Sequence, residues 1–386
     1  MSNVMKRAPP CKRCETRGEA CDYAGVPARL QRPVHETPEG RITEAIPDGH
    51  TTCLSFPTNN RHLDLQLMHR WTTSTYKSCC TPGTGDETLW QLTVPALAFQ
   101  YDFLLNGLLA LSAFDSASIL KNDGQQNSNY DKYINSAIEY QVLALANFRA
   151  QLDSPCEDQR AATFFSLMLM VLTFAAVRFG QNSCAREESI VNTAIAHFEL
   201  VRGAVQVAGS DGKQISQNEY VQKLTPFEAL PFAALDPSTA EIMAKLMELN
   251  DRRIVEAVRE IQERQAQQIA FWEACKKALH LLQECFQKCV GPVYRGYALG
   301  WLNMAGEGYI QALKMKDHIS LLILMAWGIL VERLGQDVWW AQEFGVSLVD
   351  ELSNEDLSTA TDPLTRNTIL RIQELISPIV HGREKK

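Results

Sequence analysis

Three cysteines near the start of the chain have the spacing of metal ligands. Cys11, Cys14 and Cys21 form the pattern C-x2-C-x6-C within the stretch PCKRCETRGEACDYAG. A two-residue gap brings two thiolates onto one ion, and thiolates are common ligands of tetrahedral zinc. Because a tetrahedral site needs four ligands, three cysteines leave one position to water or a partner chain. The segment therefore predicts one weakly held zinc ion or none.

Basic side chains surround these cysteines and could contact nucleic acid. Residues 1–33 hold seven Lys or Arg against three Asp or Glu, whereas the whole chain has a net charge of -8. A basic arm on an acidic body suits contact with phosphates at one end only. We expect Lys12, Arg13 and Arg17 to contact DNA phosphates. Such contacts alone give weak binding that is indifferent to sequence.

The pattern CxxCxxRGxxCxY resembles the second half of the zinc binuclear cluster of fungal transcription factors. In that family six cysteines hold two zinc ions, and the first half carries a basic run on the helix that reads base edges. The ten residues before Cys11 contain no cysteine, so that first half is missing here. Three explanations stay open: a start at a downstream methionine, a missed first coding segment, or a gene that lost its DNA-binding half.

Two later stretches resemble the opening of the regulatory domain in relatives of the sterol uptake control protein. They are LQLMHRWTTSTYK at 65–77 and LWQLTVPALAFQYDFLLNGLLALSA at 89–113. The sequence departs from that family at 100–102, where a His-Pro pair is expected, and at Asn106, usually a His. The resemblance implies a nuclear regulator that shuttles from the cytoplasm and binds a small apolar ligand such as a sterol. It also implies control of sterol or secondary-metabolite genes.

A ligand pocket is expected in the most apolar helices. Its candidate lining residues fall in two segments of the chain, and they are Phe164, Met168, Leu172, Leu321, Leu324 and Trp327. The alternative is that these residues are ordinary core side chains, because periodicity does not reveal function.

From Arg61 onward the apolar residues repeat with a helical period. Leu63, Leu67 and Trp71 recur every four residues, and no period-two run indicates a strand. Residues 238–290 predict two helices with a break near 249–252, residues 310–331 a very apolar helix, and Asp362 the start of the last helix. A helix over 129–152 is expected to carry along one face Tyr133, Ile134, Ile138, Val142, Leu145 and Phe148.

These patterns predict an all-α fold, an array of stacked helical hairpins. We expect a partial zinc-cluster segment at 1–23, a disordered linker at 24–60 and an all-helical regulatory domain at 61–386. The linker is predicted from its scattered Pro and Gly residues and its lack of apolar period. The apolar run at 161–177 is shorter than the roughly 20 residues that span a bilayer, which favours a buried helix and no membrane span.

The sequence lacks the motifs of common enzymes. It contains no GxSxG, P-loop, GxGxxG or HExxH pattern, and its eight His are dispersed. His69 is interpreted as a satisfied interface histidine. Cys285 and Cys289 lie four residues apart beside His280 and Glu284, which allows a metal site but favours a buried thiol pair. Eleven cysteines without a secretory signal indicate a reducing, intracellular setting.

Two functions are therefore weighed. The first is a fungal zinc-cluster transcription regulator with a ligand-sensing helical domain. The second is a truncated regulator without sequence-specific DNA binding, acting as a ligand-binding or dimerising modulator. A homodimer is compatible with both.

Overall fold

A computed structural model describes residues 61–81, 85–152, 159–180, 189–207, 229–259, 263–289, 295–354, 357 and 362–381. Every regular element within these ranges is helical, which confirms the predicted fold class. The predicted zinc-cluster segment and linker lie outside them. Thirteen α-helices occur in the described residues, and they are α1 (Arg61–Thr73), α2 (Val94–Ala98), α3 (Asp102–Asn122), α4 (Ser128–Leu152), α5 (Gln159–Gly180), α6 (Ile190–Val207), α7 (Pro237–Arg259), α8 (Glu263–Lys288), α9 (Arg295–Ala305), α10 (Glu307–Lys314), α11 (His318–Leu334), α12 (Phe344–Asn354) and α13 (Pro363–His381).

Three short elements of other helix types join these helices. Residues Thr75–Ser78 and Trp339–Ala341 form 3-10 turns, and Leu89–Thr93 is a π-helical turn that leads into α2. Consecutive helices pack side by side, above all α3 with α4, α7 with α8 and α11 with α12. The architecture is thus a series of helical pairs that share one hydrophobic core.

Helix α3 lies at the centre of the first half of this core. It contacts α1, α4 and α5, and its side chains are buried over most of its length. The stripe predicted on α1 packs against it, with Leu63, Leu67 and Trp71 buried. Helix α11 has the same position in the second half, since it contacts α8, α12 and α13. Helices that are apolar on all sides are explained by burial on all sides.

Two of the apolar helices have a membrane-like length and composition. Residues Asp102–Asn122 and Arg160–Gly180 pass that test among the residues described, so the sequence-based length argument did not separate α5 from a spanning helix. Their most apolar windows are 78% and 61% buried inside the fold, respectively. We therefore interpret both as core helices.

The structure corrects two helix predictions and the predicted environment of one histidine. The break expected near 249–252 does not occur, because α7 continues to Arg259 and buries Leu249 and Asn250. The segment 310–331 is two helices, since Lys316 takes a positive φ of 53° and Asp317 then caps α11. His69 is exposed on α1, so it does not lie between helices of the described fold.

Helix α4 is buried along a different face from the one expected. Its buried apolar and aromatic positions are Tyr130, Ala137, Tyr140, Ala144 and Phe148, of which only Phe148 was predicted. Ile138 and Val142, which the sequence placed in the core, are exposed. The predicted stripe and the buried stripe are two adjacent faces of one helix, and small residues such as Ala allow the close packing against α3.

Candidate functional site

The predicted zinc ligands and phosphate-contacting residues lie outside the described part of the chain. They are Cys11, Cys14, Cys21, Lys12, Arg13 and Arg17. Their roles stay predictions. Within the residues that the structure describes, no group of three or more His, Cys, Asp or Glu side chains could hold a metal ion.

Cys285 and Cys289, the thiol pair at the end of α8, lie within the described residues and are not part of such a group. Cys285 is buried, and its thiol lies 3.8 Å from the carbonyl oxygen of Tyr297. A hydrogen bond with Cys289, together with burial, raises the pKa of the Cys285 thiol above its ordinary value. Because metals bind the thiolate rather than the thiol, this environment favours a buried, neutral pair.

All six residues expected to line a ligand pocket are buried. Phe164, Met168 and Leu172 lie on α5, and Leu321, Leu324 and Trp327 lie on α11. Burial is compatible with a packed core and with the wall of an apolar cavity. Their role in ligand binding therefore stays a prediction.

The α5 residues face the first half of the core. The ring of Phe164 packs edge-on against Trp90, with a centroid distance of 5.8 Å. Met168 lies against α3, where a Cβ added to Gly107 would come within 2.8 Å of its sulfur. The absence of a side chain at Gly107 thus allows α5 to approach α3 closely.

Trp327 lies instead in a group of rings contributed by α5, α9, α10, α11, α12 and a 3-10 turn. Phe174 of α5 connects this group to the first half of the core, with ring centroids 6.3 Å from Trp327 and 4.5 Å from Phe344. Trp327 also lies 5.9 Å from Trp301. We call this group the aromatic cluster, and its members are Phe174, Trp301, Tyr309, Trp327, Trp340 and Phe344.

The polar atoms of the aromatic cluster bind backbone carbonyls. The indole N–H groups of Trp301 and Trp327 donate to Ala278 and Ala298 over 3.0 and 2.8 Å. The Tyr309 hydroxyl donates to Ser320 over 2.9 Å, and burial raises its pKa well above the ordinary value. These bonds fix the ring orientations, and the cluster offers no acid or base.

A buried arginine follows Phe174 by one helical turn on α5. It contacts three other parts of the fold. Arg178 of α5 is 1% exposed. Its guanidinium donates to the Ser118 hydroxyl over 2.8 Å and to the Trp339 carbonyl over 2.6 Å. Its Nε lies 3.5 Å from the carboxylate of Glu343, which also pairs with Lys121 over 2.8 Å. Arg178 thereby ties α3 and α5 to the turn before α12.

Two buried acids hold helix ends in place. Glu332 of α11 accepts the backbone N–H groups of Gly345 and Val346 at the start of α12, over 3.0 and 3.3 Å. Asp115 of α3 accepts the Thr75 hydroxyl over 2.7 Å and pairs with Arg70 of α1 over 3.0 Å. Sequence reasoning missed all these roles. The available signal was a charged residue inside or at the end of an otherwise apolar helix.

The sequence is similar to two known proteins. No family model matches the sequence. The chain is 25% identical over 218 residues to a protein of Aspergillus fumigatus named Zn(2)-C6 fungal-type transcription factor afumD, covering 51% of this chain and 52% of the relative. It is 21% identical over 300 residues to a Gibberella zeae protein named Zn(2)-C6 fungal-type transcription factor, covering 73% and 56%.

The chain thus spans about half the length of the curated relatives it matches. Both relatives are named as transcription factors, in agreement with the prediction that the chain is not an enzyme. The names do not mention sterols or any other ligand, so that part of the resemblance gains no support from them.

Proposed function

We propose that this protein is a regulator of transcription, in which the helical body is the regulatory domain. The observation that carries the proposal is the similarity to two proteins named as transcription factors. Because only 60 residues precede the body, a match over 73% of the chain has to include most of its helices. The similarity therefore concerns the helical body and not just the cysteine-containing segment.

The N-terminal segment would supply contacts to zinc and DNA. Cys11, Cys14 and Cys21 have the spacing of half of a two-zinc cluster, so they fit part of such a site. Lys12, Arg13 and Arg17 would contact phosphates. The proposed division is a cysteine segment at 1–23, a linker at 24–60 and the body from 61, with a nuclear location and shuttling from the cytoplasm.

The aromatic cluster is the place where the body would sense a small apolar ligand. Its rings come from helices in both halves of the core, so a ligand inserted there would change how the halves pack. A small apolar molecule such as a sterol is the ligand class proposed, since the fused rings of a sterol present a rigid apolar surface. The regulated genes would be those of sterol or secondary metabolism.

A tethering experiment tests the regulatory function. The 386-residue chain is fused to an unrelated DNA-binding domain and expressed in a fungal host with a reporter gene that carries the matching sites. We expect the fusion to change reporter transcription several-fold, while the chain without the added domain leaves it unchanged. A fusion that folds, binds its sites and has no effect on transcription would contradict the proposal.

Thermal unfolding in the presence of sterols and polyketides tests ligand sensing. A ligand that binds only the folded state raises the unfolding temperature. Phe174→Leu alters the aromatic cluster. Phe148→Leu is the control, because Phe148 of α4 belongs to a different group of rings, in which it packs on Phe103 and Phe165. The ligand-induced shift should be lost in the first variant and kept in the second. Equal shifts in both variants would place the ligand elsewhere.

A further inference from the structure

Cys79 and Cys80 form a pair of adjacent thiols directly after the first 3-10 turn. Both residues are half-buried, and neither takes part in a disulfide. Among the described cysteines, Cys275 and Cys285 are buried, so Cys79 and Cys80 are the one neighbouring pair with both members partly exposed. Thiol sulfur is a soft ligand, and two adjacent thiols are therefore a candidate site for a soft atom that bridges them.

The backbone holds the two cysteines in a tight helical turn. The N–H group of Cys79 donates to the Tyr76 carbonyl over 3.0 Å. The N–H group of Cys80 donates to the Lys77 carbonyl over 3.3 Å. With three residues per turn, adjacent side chains point about 120° apart. A disulfide needs Cβ atoms about 3.5–4.5 Å apart, which this divergence opposes. The turn thus favours an atom that lies between the two sulfurs over a direct sulfur–sulfur bond.

The surroundings of the pair favour neutral thiols over thiolates. Burial and the negative charges of Asp86 and Glu87 raise the pKa of the Cys80 thiol to about 12. Burial and the adjacent Cys80 also raise the pKa of the Cys79 thiol above its ordinary value. Zinc binds thiolates and takes four ligands. Since no group of three or more His, Cys, Asp or Glu side chains could hold a metal in the described part of the chain, the pair is poorly suited to such a cation.

We propose that Cys79 and Cys80 bind a trivalent arsenical of the type R–As(OH)2, of which arsenite is the simplest member. Such a molecule needs only two thiols, because its third substituent stays on the arsenic. Two As–O bonds break and two As–S bonds form. Each thiol proton leaves with a hydroxyl group as water, so nothing is oxidised or reduced. Because no free proton is released, the raised pKa values of the two thiols do not oppose the reaction at neutral pH.

The thiol pair lies beside a contact with the aromatic cluster. The indole N–H group of Trp340 donates to the Ser78 carbonyl over 3.1 Å, and the Trp340 ring lies 6.0 Å from that of Phe174. The Cys80 thiol donates to the Tyr76 carbonyl over 3.3 Å, and this bond is lost when arsenic replaces the thiol proton. Binding should therefore move the turn that holds Trp340. The inference depends neither on the transcriptional role nor on an apolar ligand.

Titration of the reduced 386-residue chain with phenylarsine oxide tests the proposal. Every sample carries Cys11→Ser, Cys14→Ser and Cys21→Ser, because the spacing of Cys11 and Cys14 also suits an arsenical. A monothiol in the buffer competes with single cysteines but not with a pair that chelates. Native mass spectrometry and a thiol assay should show about one phenylarsenic group bound and about two thiols lost per chain.

Tryptophan fluorescence tests the link to the aromatic cluster. Phenylarsine oxide should change the emission of this chain, and Trp340→Phe should reduce the change. An emission change of the same size in both chains would show that the thiol pair does not act on Trp340.

Single substitutions locate the site. Cys79→Ser and Cys80→Ser should each weaken binding by about tenfold or more, because one remaining thiol cannot chelate. Cys289→Ser is the matched control, since it removes one thiol of the pair on α8, and it should leave binding unchanged. Circular dichroism checks that each variant is folded. A chain that binds no arsenical, or one that binds it equally well after both Cys79→Ser and Cys80→Ser, would overturn the proposal.

Discussion

Gly328 of α11 and Gly345 of α12 lie in direct backbone contact. A Cβ on Gly328 would come within 3.2 Å of the Gly345 carbonyl oxygen, and a Cβ on Gly345 would overlap the Gly328 carbonyl group. One turn beyond Gly328, the Glu332 carboxylate accepts the N–H group of Gly345 over 3.0 Å. The same crossing thus combines a close helix approach with a buried charge at a helix N-terminus, where negative charge is favourable.

Gly345→Ala should destabilise the fold because its methyl group meets backbone atoms that cannot move independently. Overpacking of this kind costs about 1–3 kcal/mol in the free energy of unfolding. Gly300→Ala in α9 is the control, since nothing lies within 4 Å of a Cβ there. That change should be neutral or stabilising by up to about 1 kcal/mol through helix propensity. Urea unfolding measures both, and equal effects would contradict the close contact.

Arg178→Lys should lower the free energy of unfolding by about 1–3 kcal/mol. A lysine keeps the charge but cannot reach the Ser118 hydroxyl, the Trp339 carbonyl and Glu343 together. Arg202→Lys is the matched control, because Arg202 pairs with Glu307 on the surface. Surface pairs contribute about 0–1 kcal/mol, so the control should change little. If both variants unfold alike, Arg178 does not tie these elements together.

The charge of Asp236 should add to the free energy of unfolding at neutral pH, and this contribution should be lost in acid. Partial burial raises the pKa of this carboxyl group, but hydrogen bonds from Thr239 and the nearby Arg333 guanidinium outweigh it and lower the pKa below 3.8. A lowered folded-state pKa gives stability that is present above the unfolded-state pKa and is lost as pH falls through the folded-state value.

Asp236→Asn keeps a side chain that can cap α7 and removes the charge. The variant should be less stable than the parent by about 0.5 kcal/mol at neutral pH, because the ion pair is largely exposed. The difference should shrink as pH falls below about 4. Denaturation at several pH values measures it. If the stability difference between parent and variant instead grows as pH falls, the folded-state pKa of Asp236 is not lowered.

The 386-residue chain should bind at most one zinc ion through its cysteine segment. Three thiolates cannot satisfy two tetrahedral ions that share six cysteines. Elemental analysis after dialysis gives the ratio, and Cys14→Ser should reduce it further. Two tightly held zinc ions per chain would show that other side chains complete the site.

The same chain should show no preference for the CGG-type half-sites expected from the zinc-cluster resemblance. Sequence-specific binding needs contacts to base edges, whereas the basic residues present contact phosphates. A competition assay at near-physiological salt compares a specific duplex with a scrambled one. A preference of about tenfold or more would contradict this expectation. Addition of an upstream cysteine triad with its basic run should create the preference.

Local patterns predicted much of the helical body. The four-residue repeat of Leu63, Leu67 and Trp71 predicted the buried stripe of α1, and Asp362 predicted the start of α13. Two of the failed predictions show tertiary context outweighing local pattern. Residues 249–252 remain helical within α7, which buries Leu249 and Asn250, and Ile138 and Val142 are exposed because α3 packs on the adjacent face of α4.

The sequence by itself determined the all-helical class, the apolar core helices and the spacing of the cysteines. These features follow from the helical period and from ligand geometry, which act over a few residues. The tertiary structure alone decided the partners of Arg178, Glu332 and Gly345. Arg178 meets a carbonyl 161 residues away in the chain, and no local pattern encodes which distant atoms come within hydrogen-bond distance. It also decided which of the two apolar faces of α4 is buried, because helix periodicity specifies a face and packing selects its partner.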